Sequence, residues 1–256
     1  MNDFEIENGV LLQYRGQEAH VLVPEGVTSI GNYAFRKQKR LKTILFPRTL
    51  TSVGYRAFWK CRNLKWLVFP DAVTVITEEA FQHCQNLKSV TLEGTEMNIG
   101  KNAFRDCYKL KTLTISGKVR TIECDAFYSS YSLECICISE KIKTMGDYVF
   151  RTLPSLHRIV WRGAEFNVRN LYHKEYAVRK ILMNGMPKFL IEEEKTDLLQ
   201  NALQSVDFIP KNEIDDLIQY AIDKKAYEIQ IMLMHYKNNN IGYESQEEII
   251  RRKFSL

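Results

Sequence analysis

Apolar residues in this chain fall into columns that recur every 23 residues. A small apolar residue followed by an aromatic appears as Ala34-Phe35, Ala57-Phe58, Ala80-Phe81, Ala103-Phe104, Ala126-Phe127 and Val149-Phe150. Six positions after each Phe stands a leucine: Leu41, Leu64, Leu87, Leu110, Leu133 and Leu156. Three further on lie Ile44, Leu67, Val90, Leu113, Ile136 and Ile159, and two beyond those Phe46, Phe69, Leu92, Ile115, Ile138 and Trp161. Five positions before each Phe the column reads Ile30, Val53, Ile76, Ile99, Ile122 and Met145, followed by glycine at Gly31, Gly54, Gly100 and Gly146.

A single unit of this length cannot bury its own apolar side, so the six units must stack on one another as a solenoid. The last two apolar columns alternate with polar residues, the period of a strand. The pattern predicts parallel strands at Thr43 to Phe46, Trp66 to Phe69, Ser89 to Leu92, Thr112 to Ile115, Cys135 to Ile138 and Arg158 to Trp161, about 4.8 Å apart. Thr43, Leu45, Trp66, Val68, Ser89, Thr91, Thr112, Thr114, Cys135, Cys137, Arg158 and Val160 then point outward on an open face.

The unit, written I-G-x-x-A-F-x-x-C-x-x-L-x-x-I-x-L, resembles the BspA-like, or Treponema pallidum type, leucine-rich repeat over about Val21 to Trp161. The stretch Phe4 to Val23, with a hairpin turn at Asn8-Gly9, is similar to the N-terminal cap of bacterial members. The resemblance implies a non-enzymatic, ligand-binding solenoid of bacteria and some protists, with cell-surface adhesins among its relatives. Gln38, Ser130 and Leu153 depart from the cysteine column, and Thr77 and Glu123 from the glycine column.

The period stops after Trp161 and helical spacing begins, as in Ile214, Leu217, Ile218, Ala221 and Ile222. Helices are expected at about 172–182, 191–203 and 245–253, with Pro187 and Pro210 as breaks, and as a helical hairpin over 212–242. That hairpin is similar to those of ankyrin-like repeats, without their T-P-L-H signature. The expected organisation is a cap hairpin over 1–24, leucine-rich repeats with stacked parallel β-strands over 25–165, and an α-helical C-terminal region over 166–256 that covers the open solenoid end.

Composition is ordinary, 45% apolar and 26% charged, which excludes a wholly disordered chain. No apolar run approaches the roughly 20 residues that cross a bilayer, and the first residues are acidic. The expectation is therefore a cytoplasmic protein without membrane insertion, its six cysteines reduced. Cys61, Cys84 and Cys107 share a repeat column and read as a buried thiol ladder. Cys135 and Cys137 lie on one side of a strand, roughly 7 Å apart. Such a pair could take a soft metal or meet an oxidant, although an accident of an exposed face is the simpler reading. The five histidines are scattered, and neither a nucleophile constellation nor a phosphate-binding glycine motif occurs. Neither catalysis, nor a cofactor, nor a metal is expected.

The net charge is +5, and between Glu25 and Asp71 stand ten Lys and Arg with no acid. Lys42, Lys65, Lys88 and Lys111 share one column, which stacking turns into a positive ladder. The expected function is a protein-interaction scaffold using the sheet face. Trp66 is its anchor, Leu45, Val68, Thr91 and Thr114 are neighbours, and the four lysines steer an acidic partner. Two alternatives stand beside it: nucleic-acid or polyanion binding by the basic first two repeats, and adhesion at the cell surface by an exported member.

Overall fold

The computed structural model describes residues 3–169, 173–204 and 208–241. The chain divides into two compact units, residues 1–185 and 186–256. The first unit is a solenoid with two eight-stranded sheets. The sheet expected from the sequence contains β3 (His20–Leu22), β5 (Thr43–Leu45), β7 (Trp66–Phe69), β9 (Ser89–Leu92), β11 (Thr112–Ile115), β13 (Cys135–Ile138) and β15 (Arg158–Trp161), all parallel. Residues pair one period apart, as in Trp66 with Ser89 and Thr112 with Cys135. An added strand, β16 (Ala164–Asn167), turns back antiparallel on β15 and closes that edge.

The second sheet was not expected from the sequence. It runs through β1 (Phe4–Glu7), β2 (Val10–Tyr14), β4 (Ser29–Ile30), β6 (Ser52–Val53), β8 (Val75–Ile76), β10 (Met97–Ile99), β12 (Val119–Ile122) and β14 (Thr144–Met145). β1 and β2 form the hairpin expected at Asn8-Gly9. The glycine column has a steric reason: a Cβ at Gly100 would stand 2.7 Å from the backbone nitrogen of Glu78, and one at Gly146 would stand 2.4 Å from that of Cys124. The preceding rung comes too close for a side chain there.

Between the sheets the apolar columns become continuous ladders. Phe35, Phe58, Phe81, Phe104, Phe127 and Phe150 stack ring on ring, with centroids 4.7 to 5.3 Å apart. The leucine column is buried throughout. Each rung also turns through two non-glycine residues in the left-handed region, for example Arg56 (φ 50°) and Lys60 (φ 60°). These residues carry backbone strain that tertiary packing must hold. The first unit ends in α1 (Lys174–Asn184), which buries Ala177, Val178, Ile181 and Leu182 and packs beside β14.

The second unit holds α2 (Met186–Glu192), α3 (Thr196–Ala202), α4 (Ile214–Asp223) and α5 (Tyr227–Tyr236), followed by a π-helical turn, Lys237–Ile241. The single helix expected over 191–203 is thus corrected to two. Glu193, Glu194 and Lys195 interrupt it, with Glu194 in the left-handed region at φ 51°. Pro187 does not break a helix; it sits in the first turn of α2, where its missing amide proton costs nothing. The interior gathers Phe189, Leu190, Leu199, Phe208, Ile214, Leu217, Ile229 and Leu233. The hydroxyl of Tyr220 donates to Glu192. The helix expected at 245–253 and the last residue of the hairpin expected over 212–242 lie outside the described residues. No described helix is long and apolar enough to cross a membrane.

Candidate functional site

On the sheet of β3 to β15 the side chains of one rung lie directly beside those of the next. Leu22 pairs with Leu45 in register. Two residues before Leu45, Thr43 pairs with Trp66, so Val68 stands at the corresponding place on the third rung. These three aliphatic side chains are 68%, 51% and 44% exposed, an uncovered apolar row across three consecutive strands. Trp66, beside it, is half-buried. His20 Nδ1 lies 2.8 Å from the hydroxyl of Thr43 at the same end.

The composition of the face changes along the solenoid. Thr91 and Thr114 continue the row of Leu45 and Val68, paired as Val68 with Thr91 and Thr91 with Thr114. The middle rungs therefore present hydroxyls, and the row of exposed aliphatics ends at Val68. The last rungs carry Cys135, Cys137, Arg158 and Val160.

Lys42, Lys65, Lys88 and Lys111 line one margin. Their backbones are linked rung to rung, Lys65 N to Lys42 O at 2.9 Å, Lys88 N to Lys65 O at 2.6 Å and Lys111 N to Lys88 O at 2.8 Å. Lys111 differs from the other three because its ammonium pairs with Glu134 on the next rung at 2.8 Å. That bond, with the lysine charge, holds the Glu134 carboxyl below the usual carboxylate range. Among the described residues no carboxylate lies within ion-pair distance of Lys42, Lys65 or Lys88. The positive margin therefore runs beside the aliphatic row, on the same rungs.

A second basic cluster lies elsewhere on the coil, where the chain turns after each Phe. The ring of Trp59 has the Lys60 ammonium 4.0 Å, the Arg36 guanidinium 4.9 Å and the Lys37 ammonium 5.4 Å from its centroid. Arg56 is 5.7 Å away but is already paired with Glu79 at 2.5 Å. The sequence alone offers Trp59, with Trp66 and Arg62, as an aid to binding an anionic surface; its cations come from its own rung, Lys60, and from the adjoining one, Arg36 and Lys37.

The thiols separate into two kinds. Cys61, Cys84 and Cys107 are fully enclosed, and their thiols donate to the carbonyls of Phe35, Phe58 and Phe81 at 3.0, 3.4 and 3.6 Å. Burial pushes the Cys61 thiol up to about 12 and raises Cys84 and Cys107 as well. Cys135 and Cys137 instead lean together, with sulfurs 3.6 Å apart rather than the roughly 7 Å that strand geometry alone implies. Arg158 covers Cys135, which is 2% exposed, and its Nε donates to the Cys135 sulfur at 3.3 Å. Among the described residues no three or more His, Cys, Asp or Glu converge as a metal-binding group.

The family model for the BspA type leucine rich repeat region matches residues 14–98 and 97–173, in six copies. A search of curated proteins finds no match. Among solved structures, the leucine-rich-repeat protein TpLRR of T. pallidum aligns at 20% identity, covering 67% of this chain and 87% of that one, with a TM-score of 0.46. The pneumococcal vaccine antigen PcpA aligns at 23% identity over 60% of this chain and 39% of its own, with a TM-score of 0.50. A leucine-rich cell-surface protein of Faecalibacterium prausnitzii aligns at 24% identity over 60% and 50%, with a TM-score of 0.48. The chain thus spans most of TpLRR but half or less of the other two. With the six-copy match extending over most of the solenoid, this chain belongs to the BspA-type leucine-rich-repeat family.

Proposed function

We propose that the protein is a non-enzymatic scaffold that binds a partner protein through the first three rungs of the sheet face. The observation that carries this reading is the exposed row Leu22, Leu45 and Val68 beside Trp66, bordered by Lys42, Lys65 and Lys88. An exposed apolar row of this kind favours contact with another apolar surface, because covering it removes that area from water. The lysines add long-range attraction for an acidic partner and contribute more to encounter rate than to final affinity. Thr91 and Thr114 are peripheral, and Lys111, paired with Glu134, contributes least of the four lysines. Affinity capture from nuclease-treated native lysate tests the reading. A partner held by the wild type should be lost with Leu45→Asp and Lys65→Glu, and kept by Thr74→Glu beside β8 on the other sheet. Equal capture by all variants defeats it.

A second reading is favoured by one observation, the cluster of Arg36, Lys37 and Lys60 around Trp59. Cations and aromatic rings together suit a polyanion such as nucleic acid. This reading predicts capture that disappears with nuclease and with Lys60→Glu but survives Leu45→Asp. Adhesion, the third reading, predicts the protein in cell-surface fractions.

A further inference from the structure

We propose that strand β3 is a docking edge for an extended, acid-flanked segment of the partner protein, which adds to the sheet as one more strand. The inference rests on the scaffold reading for its partner and adds how the chain of that partner is held.

The two sheets have four ends, and the chain closes three of them. β1 folds back antiparallel on β2, with a register shift between Glu5 and Ile6 and the acids Glu5 and Glu7 along it. β16 folds back antiparallel on β15 and carries Glu165. Beyond β14, the Arg179 guanidinium donates to the carbonyls of Met145 and Gly146. Bulges, charged side chains and covering groups of this kind keep an edge from pairing with another chain. β3 stands at the fourth end without them. It is the terminal strand of its sheet, it holds no acid and no proline, and its register with β5 runs without a shift.

The ladder determines which backbone groups are open. Ala19 O accepts from Lys42 N at 2.7 Å and from Thr43 N at 3.1 Å, and Val23 N donates to Leu45 O at 3.0 Å. Successive residues of a strand turn their amides to opposite sides. Ala19, Val21 and Val23 therefore face β5, while His20 and Leu22 turn both N–H and C=O away from it. Among the described residues no backbone group meets them there. A strand laid beside β3 at the usual spacing of about 4.8 Å satisfies these donors and acceptors, as β3 itself does for Thr43 and Leu45.

The vacancy is one strand wide and suits a segment rather than a whole fold. β2 and β3 belong to one turn of the coil, and β1 lies one strand beyond β2, so the place beside β3 is the missing half of that outer level. A second copy is the poorer fit, because the β1 hairpins of both copies project past β3 and must pass each other before the two edges can pair. Side chains set the composition of the segment. Leu22, 68% exposed, begins the row that continues through Leu45 and Val68, so an apolar residue on the outer face of the added strand extends that row. Ala19 takes the place of the lysine column at β3 and leaves Lys42 exposed on the next rung. Acids flanking the segment are drawn to Lys42, Lys65 and Lys88, against which Glu18 beside Ala19 is a single opposing charge. In strand addition the main-chain bonds supply affinity and the alternate side chains specificity.

The probe is a short blocked peptide with alternating Val and Thr between terminal Glu pairs, alongside the same peptide N-methylated at each Val and Thr. The intact chain should bind the first peptide and not the second. By NMR, the His20 and Leu22 amides should exchange at least about tenfold more slowly with peptide bound, the size of a hydrogen bond gained, while Val21, already bonded to β5, changes little. His20→Pro removes one outward donor at a position where an edge strand tolerates proline, and should weaken peptide binding about tenfold. His20→Ala, which keeps the amide, should bind as the wild type does. Thermal unfolding checks each variant, and the N-methylated peptide and the exchange rates decide the matter if His20→Pro does not fold. Absence of binding at millimolar peptide, equal binding of the N-methylated peptide, or unchanged exchange at His20 and Leu22 each overturns the proposal. Native partner lost with Leu45→Asp but kept by folded His20→Pro also overturns it, and leaves the scaffold reading standing. Peptide pairing at β3 while Leu45→Asp still captures the partner strikes the scaffold reading and leaves the docking edge.

Discussion

The guanidinium of Arg179 donates to the carbonyl of Met145 at 2.6 Å, taking the place of an amide from a rung that does not exist. In earlier rungs the same position is filled by backbone. Ile76 O accepts from Gly100 N at 2.8 Å, Ile99 O from Glu123 N at 2.9 Å and Ile122 O from Gly146 N at 2.7 Å. Arg179 Nη1 also reaches the carbonyl of Gly146 at 2.5 Å. One side chain on α1 thus completes hydrogen bonds that the end of the second sheet would otherwise leave open, the edge problem every solenoid must solve. Arg179→Met should destabilise the solenoid by about 2 kcal/mol, the usual size for hydrogen bonds to a charged donor, and Arg179→Lys by less. Urea unfolding of the three proteins checks the order. Equal midpoints would show that water serves the edge as well as Arg179 does.

The phenylalanine ladder makes the rungs mutually dependent. Phe81 is fully buried, stacked at 4.8 Å on Phe58 and 5.2 Å on Phe104. Phe81→Ala removes both contacts and leaves a cavity, so a loss of roughly 3 to 5 kcal/mol is expected. Calorimetry should show a lower unfolding temperature. A loss below about 1 kcal/mol would mean that the neighbouring rungs collapse into the space.

Ser130 takes the place of a cysteine in the thiol column, fully buried, and its hydroxyl has no hydrogen-bond partner among the described residues. Cys61, Cys84 and Cys107 in that column donate to a carbonyl of the preceding rung. Ser130→Cys should stabilise the protein by about 1 kcal/mol, since it replaces a stranded hydroxyl with a soft, less polar group. Chemical denaturation measures it. A destabilised variant would show that the pocket is too small for sulfur.

His83 titrates in a basic setting. Partial burial is the main cause that lowers its pKa, the charges of Lys60, Arg62 and Arg105 add to it, and Asp106, 3.2 Å away, opposes. A histidine whose pKa falls on folding binds fewer protons folded than unfolded. Its contribution to stability is therefore full above the unfolded value of about 6.5 and is lost as pH falls through the folded value. NMR titration should place the His83 midpoint below 6.5, with Lys60→Met moving it upward. A midpoint above 6.5 would mean that Asp106 dominates.

The repeat columns made the sheet carrying the candidate face legible because each rung devotes two alternating apolar positions to it. Five of its strands start and end where the alternation places them, from Trp66–Phe69 to Arg158–Trp161. The opposite sheet escaped notice because most of its strands have only two or three residues around a single apolar column, as at Ser52–Val53, too few to show alternation. β16 follows the point where the period stops, so no column announces it. The left-handed residues Tyr33, Arg56 and Tyr148 were invisible for a different reason: none is glycine, and the conformation is imposed by stacking. Of the site, Leu45, Trp66, Val68 and the lysine column could be read from outward positions. Leu22 could not, because it precedes the first full unit, and the pairing of Lys111 with Glu134 depends on side-chain placement.

Hydrogen exchange of the protein alone and with a purified captured partner tests the face assignment most directly. The scaffold account predicts added protection at Thr43–Leu45 and Trp66–Phe69, with little change at Ser52–Val53 and Val75–Ile76 on the opposite sheet. Protection confined to the opposite sheet, or to the turns around Trp59, would contradict it.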